Sequence, residues 1–273
     1  EVSVGTEIYG QGGNTKTTPS FFVGSTNASG LGLAVLYSGT HGQGWRSSND
    51  KIDLDDVLIK SHYKLNSNSS ISAALHHFEA QGQMPGGLTT AQYAADPFQS
   101  SLKYNYANGR DSFEVLGYYV DSFRGSYIER DATGVNAGKR SLTGAPRDYS
   151  YYGVEPRFSR ILETGSVVQE VSVGYRYLKE KSSETSLASA GVYTPGQVNA
   201  MALPLNTTQT SQGGTTANAF YIDNRIDAGD WTVTPGVRYE RIRSFNNVVD
   251  YRGATATPIF PKASANEWLP TLS

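Results

Sequence analysis

The chain has no cysteine in its 273 residues. That excludes a disulfide scaffold, a thiolate zinc site and a cysteine nucleophile. An excess of charge of either sign is also missing: 23 Lys and Arg stand against 25 Asp and Glu, a net charge of −2. Such balance excludes a nucleic-acid-binding tail or a polybasic membrane patch as the main theme. No apolar run approaches the ~18 residues of a transmembrane helix. Helical periodicity is nearly absent, with one short helical turn expected over Leu88–Ala95. Enzyme signatures are missing as well: there is no phosphate-binding loop, no His-Glu-x-x-His and no Gly-x-Ser-x-Gly. No Ser, His and acid set can be assembled on one rim. The expectation is therefore a protein that is not an enzyme and carries no cofactor.

What the chain has instead is turn formers and tyrosine. Glycine accounts for 29 residues and tyrosine for 18, glycine alone well above its average of about 7%. Apolar and polar residues alternate with period two in many places. Val171, Val173, Tyr175 and Tyr177 alternate with Glu170, Ser172, Gly174 and Arg176. Trp231, Val233, Pro235, Val237 and Tyr239 alternate with Thr232, Thr234, Gly236, Arg238 and Glu240. About eleven strands are predicted, roughly 1–10, 16–25, 31–40, 52–65, 69–78, 99–106, 112–124, 147–161, 167–180, 216–228 and 231–245. Many exceed the soluble mean of about 5–6 residues and reach the ~9–11 needed to cross a bilayer with tilt.

The connections alternate in length. Thr26–Gly30, Asn66–Asn68, Ala107–Asp111, Leu162–Ser166 and Gly229–Asp230 are short. His41–Lys51, Ala80–Phe98, Gly125–Pro146 and Lys181–Thr215 are long. Short turns at one end and long loops at the other are the asymmetry of an outer-membrane β-barrel. A soluble antiparallel meander, sandwich or propeller is the competing architecture. In the barrel, Val171, Val173, Phe220, Ile222, Val233 and Val237 face lipid, and Arg176, Asp223, Arg238 and Glu240 face the lumen. Tyr37, Tyr63, Tyr152, Tyr177, Trp231 and Tyr239 fit aromatic girdles.

Five stretches carry a resemblance. They are Leu36-Tyr37-Ser38-Gly39-Thr40 with Gly44-Trp45-Arg46; Met84-Pro85-Gly86-Gly87-Leu88; Gly153-Val154-Glu155-Pro156-Arg157; Val173-Gly174-Tyr175-Arg176-Tyr177-Leu178; and Trp231-Thr232-Val233-Thr234-Pro235-Gly236-Val237-Arg238. In order and spacing they resemble the ferric-dicitrate branch of the TonB-dependent outer-membrane receptor family. The resemblance implies an all-β fold: an antiparallel transmembrane β-barrel of 22 strands with a plugged lumen. Residues 1–273 would be its N-terminal half, with the plug and the C-terminal barrel strands outside the chain. It implies import of an iron chelate, ferric citrate or a similar anionic siderophore, energised by the TonB complex acting through the plug. The ligand would be a ferric chelate, the surroundings outer-membrane lipid, and no nucleic acid is involved. A passive porin and TonB-dependent import of another substrate are the alternatives.

By the same resemblance, Arg124 and Arg147 match ligand-binding arginines, and a third falls near Gln209, where the charge is absent. The iron would be held by its chelate, so no metal ligands are expected. Arg124 and Arg147 have lumenal parity on partner strands, so their like charges need an anion between them. Glu129 and Asp148 are the candidate acids for that place. The loop between the two arginines also holds Arg130, Lys139 and Arg140. Met84–Leu88, and Gly42, Gly44 and Trp45, read either as plain turns or as loops that fold over the mouth. His76 and His77 are adjacent on a strand, so they face opposite sides. Asp53, Asp55 and Asp56 read as a solvated strand end, or as a loose Ca²⁺ site.

Overall fold

In the computed structural model the described residues are 2–11, 14–43, 51–86, 89–194, 204–253 and 255–272. Fifteen strands form one sheet: β1 (Val2–Gln11), β2 (Asn14–Thr26), β3 (Leu31–Gln43), β4 (Lys51–Lys64), β5 (Ser69–Gly86), β6 (Thr89–Ala107), β7 (Asp111–Asp131), β8 (Arg140–Gly144), β9 (Arg147–Thr164), β10 (Val167–Ser189), β11 (Leu205–Ala228), β12 (Trp231–Val233), β13 (Pro235–Asp250), β14 (Thr257–Ile259) and β15 (Lys262–Leu272). Every pairing is antiparallel, and each long strand lies beside the next in sequence.

The five short turns sit where the sequence places them. Asn108 accepts the Asp111 amide on its side-chain oxygen at 2.7 Å. Gly109 then takes a positive φ of 92°, which a residue without Cβ does freely. Gly229 does the same at 60° in the shortest turn.

At the other end the long loops resolve mostly into strand. β10 has 23 residues and β11 has 24, about 75–80 Å of chain at the usual rise. The apolar band of an outer-membrane barrel is only about 25 Å tall. Strands of that length extend well past such a band, even with tilt. The expected loop Ala80–Phe98 is the hairpin of β5 and β6, and the helical turn expected over Leu88–Ala95 is strand from Thr89 onward. Gly125–Pro146 and Lys181–Thr215 likewise become strand over much of their length. The count of about eleven strands gains β15, which makes twelve long ones. Gly44, Trp45, Gly87 and Leu88 lie outside the described residues.

The register decides the faces. Val173 pairs with Ile222 and Ile222 with Val237; Arg176 has the opposite parity, as do Asp223, Arg238 and Glu240. The two expected sets thus occupy the two faces without mixing. The apolar face is bare: Phe220 is 59% exposed, Ile222 46% and Leu102 58%. On the other face Ser172 is 1% exposed and Ala219 3%. A soluble protein would not leave so long an apolar surface in water. The polar face is knitted instead: Arg176 pairs with Glu155 at 3.0 Å, and Tyr118 donates to Glu155 at 2.8 Å. Tyrosine rings on this face lie over glycines that have no side chain to obstruct them, Tyr118 over Gly153 and Tyr221 over Gly174.

Candidate functional site

Arg124 on β7 and Arg147 on β9 are direct cross-strand partners. Their Cα atoms are therefore about 4.5–5.5 Å apart and their side chains share the lumenal face. Both are exposed. The expected anion is there, from a different residue. Arg147 pairs in turn with Glu184 on β10, and its guanidinium donates to Glu184 Oε2, with Nε at 2.8 Å. Glu129 is taken by Arg140 at 3.2 Å, and Asp148 accepts the Ser183 hydroxyl at 3.3 Å. Neither sits between the two arginines. Among the described residues Arg124 has no acidic partner.

Gln209 shares this face. It pairs with Ser186 on one side and Asp250 on the other, one lumenal step beyond the row that holds Glu184 and Ser211. That is two strands and one step from Arg147, too far for one small ion to touch both, and within the span of a larger ligand. Asp250 is held by Arg252, with Nε at 2.9 Å, and this partner pulls its carboxyl down to about 2.

The rim above is braced. β9 ends at Arg147, and β8 continues the pairing with β7 beyond Ala145 and Pro146. Leu142 is buried against Tyr193, with Tyr127 and Leu205 packed around them. Arg140 bridges Glu129 and Asp131, so it is not a free cation, and the Asp131 contact raises its pKa. Burial, with Glu129 adding to it, pushes the Tyr193 hydroxyl up to about 12. Backbone hydrogen bonds of 2.8 Å in both directions tie Arg140 to Tyr193. The β7–β8 hairpin and the chain after β10 are thereby joined at the mouth, above the arginine pair. Tyr149 lies below on the same face. Burial and the 3.0 Å hydrogen bond it donates to Glu180 push it up to about 12, so it remains a neutral donor.

Residues 4–273 match the family model for the β-barrel of TonB-dependent receptor-like proteins. The chain belongs to that family. Its sheet is similar to the ferric citrate transporter FecA in the unliganded form, with a TM-score of 0.79 and 30% identity over 99% of this chain and 40% of that one. It is also similar to the siderophore receptor PiuA from Acinetobacter baumannii, with a TM-score of 0.75 and 12% identity over 99% of this chain and 46% of that one. The ferric-catecholate import receptor Fiu from E. coli K12, in its closed form, gives 0.73 and 11% over 99% and 47%. The two lower identities speak for the fold alone. This TonB-dependent receptor segment thus spans about 40% of the FecA chain. Its fold is the antiparallel barrel wall that the sequence implied.

The remaining candidates separate by face. His76 meets Asp56 at 2.8 Å, while His77 points the other way to Asp96 at 3.4 Å. The trio Asp53, Asp55 and Asp56 is divided by the same rule, with Asp56 lumenal. Asp53 and Asp55 share the outer face with His41, whose Nδ1 lies 2.5 Å from Asp53 and whose Nε2 lies 3.4 Å from Asp55. The three ligand atoms lie within 4.8 Å of one another. Both ring nitrogens already face carboxylates, and the hydrogen bond with His41 lowers the Asp53 pKa.

Proposed function

We propose that this chain is the N-terminal half of the barrel of an outer-membrane receptor that imports an anionic iron chelate, ferric citrate or a close carboxylate relative, energised through TonB. The plug and the remaining strands would complete the barrel. One observation carries the reading: two arginines stand side by side on the lumenal face at the mouth, and only one of them has an acidic partner. A guanidinium fork matches a carboxylate bidentately. Arg124 is open to such a ligand, and Arg147 can exchange Glu184 for it. The likeness to FecA, at 30% identity, supports citrate; the uncharged Gln209 argues for a ligand with fewer anionic contacts on that side. Titration of ferric citrate and of an uncharged ferric chelate into the full-length receptor tests the proposal. Saturable binding of the first and not the second is expected. Equal affinity for both would refute anion selection at this mouth.

A further inference from the structure

The near-zero net charge conceals a local concentration of cations on the outer face. Five rows of cross-strand partners can be followed there across β10, β11, β13 and β15. Val173, Ile222, Val237 and Pro270 form an apolar row. The next row is aromatic: Tyr175, Phe220, Tyr239 and Trp268, with ring centroids 4.7 Å apart in the first pair and 4.8 Å in the last. Arg241 stands in the row above, beside Tyr177 and Asn218, and Lys179 and Arg243 in the row above that. Lys181 and Lys262 follow one step higher, on either side of Gly214 and Phe245. Five cations thus crown the aromatic belt within four neighbouring strands.

Among the described residues none of the five makes an ion pair or a side-chain hydrogen bond. Elsewhere in the sheet the habit is different: Arg140, Arg147, Arg160, Arg176, Arg238 and Arg252 each meet a carboxylate. Lys181, Arg241, Arg243 and Lys262 are exposed. A concavity of about 870 Å³ opens among them, lined by Lys179, Lys181, Arg243 and Lys262, with Asp121, Asp148 and Glu180 as its acidic members; Glu180 has the opposite parity and accepts the Tyr149 hydroxyl at 3.0 Å. Arg124, Arg147 and Gln209 do not line it, and by parity they face the other way.

We infer that this concavity seats the phosphorylated headgroup of a lipid in the leaflet at the long-excursion end. The apolar row would contact acyl chains and the aromatic row the interface, where amphipathic rings settle. The cations would meet phosphate at headgroup height, where Lys and Arg attract anionic lipid. Four cations against three carboxylates, one of them Glu180 already held by Tyr149, leave the concavity positive, and a phosphate is the anion that this depth of a bilayer supplies. The inference rests on the lipid-facing parity of the sheet and not on the identity of the imported ligand.

The test is native mass spectrometry of the full-length receptor in detergent, titrated with the bisphosphorylated glycolipid lipid A or with zwitterionic phosphatidylcholine. The wild type should retain lipid A and release phosphatidylcholine. Each cation removed should weaken retention roughly fivefold, so Lys181→Gln/Arg243→Gln/Lys262→Gln should lose about a hundredfold. The matching Arg243→Lys exchange should restore most of its share. Should the triple variant fail to fold, Arg243→Gln alone carries the test through its fivefold loss. Ferric-chelate affinity, read on the same samples, should not follow the lipid loss. Undiminished lipid A retention in the variants, or equal retention of phosphatidylcholine, would overturn the inference.

Discussion

Replacing Arg124 by alanine removes the member of the arginine pair that has no acidic partner among the described residues, and its effect can be set against a second change that the structure makes informative. A charged hydrogen bond to a carboxylate contributes about 1.5–3 kcal/mol. Arg124→Ala should therefore weaken ferric-chelate binding by roughly 10- to 150-fold. Arg147→Ala should also weaken it, and it leaves Glu184 without its partner. Glu184→Gln works in the opposite direction. From a ligand seated at Arg124 the carboxylate of Glu184 is two strand spacings away, about 10 Å. Repulsion between unit charges at that distance is about 0.4 kcal/mol in water and about 1.7 kcal/mol at an effective dielectric of 20. Its removal also frees Arg147. Glu184→Gln should tighten binding by about 2- to 20-fold, more at low ionic strength than at high. The assay is equilibrium binding of radiolabelled ferric citrate to full-length receptor in detergent, with folding checked by heat-modifiable mobility. Unchanged affinity in Arg124→Ala, or weaker binding in Glu184→Gln, would refute the reasoning.

Asp250 should titrate at about 2, and Arg252→Ala should return it toward the ordinary carboxylate range near 4. Because the folded pKa is depressed, the pair's contribution is present above that range and lost as pH falls through about 2; carboxyl NMR reads both. Gly174→Ala should meet the Tyr221 ring and cost about 1–3 kcal/mol as an overpacked site, seen as a lower unfolding midpoint in urea. Leu142→Ala should open a cavity in the rim cluster, where Leu142 is 1% exposed, at about 2–3 kcal/mol. Its effect should be local: faster proteolysis within residues 132–139, with the barrel itself still resistant.

The membrane-spanning part was legible because lipid and water lie on opposite sides of it. Val171 to Tyr177 alternate strictly, and that alternation survives as two unmixed faces. Beyond the bilayer both faces meet water, so the period-two signal disappears. Ser182-Ser183-Glu184-Thr185-Ser186 and Thr207-Thr208-Gln209-Thr210-Ser211 therefore looked like loop, although both are paired strand. Glu184 was missed for this reason, since a residue read as loop has no register. Strand β15 was missed because Lys262, Asn266, Glu267 and Pro270 blur its pattern, and only its pairing with β13 reveals it. Pro85 and Gly86 were read as part of a turn, and they are paired strand near the end of the β5–β6 hairpin. The arginine pair was legible as a register position; its acidic partner was a tertiary fact.

The central claim is that this sheet is a barrel wall with lipid on one face and an aqueous lumen on the other. These 273 residues contain no cysteine of their own, so within them every label sits where it is placed. Single cysteines placed in turn at Ala219, Phe220, Tyr221, Ile222 and Asp223 of the full-length receptor in bilayers would carry a nitroxide label. Collision with oxygen, which concentrates in lipid, and with a water-soluble nickel chelate would be measured at each. Oxygen collisions should peak at 220 and 222 and nickel collisions at 219, 221 and 223. Peaks in the reverse order, or equal nickel access at all five positions, would contradict the account.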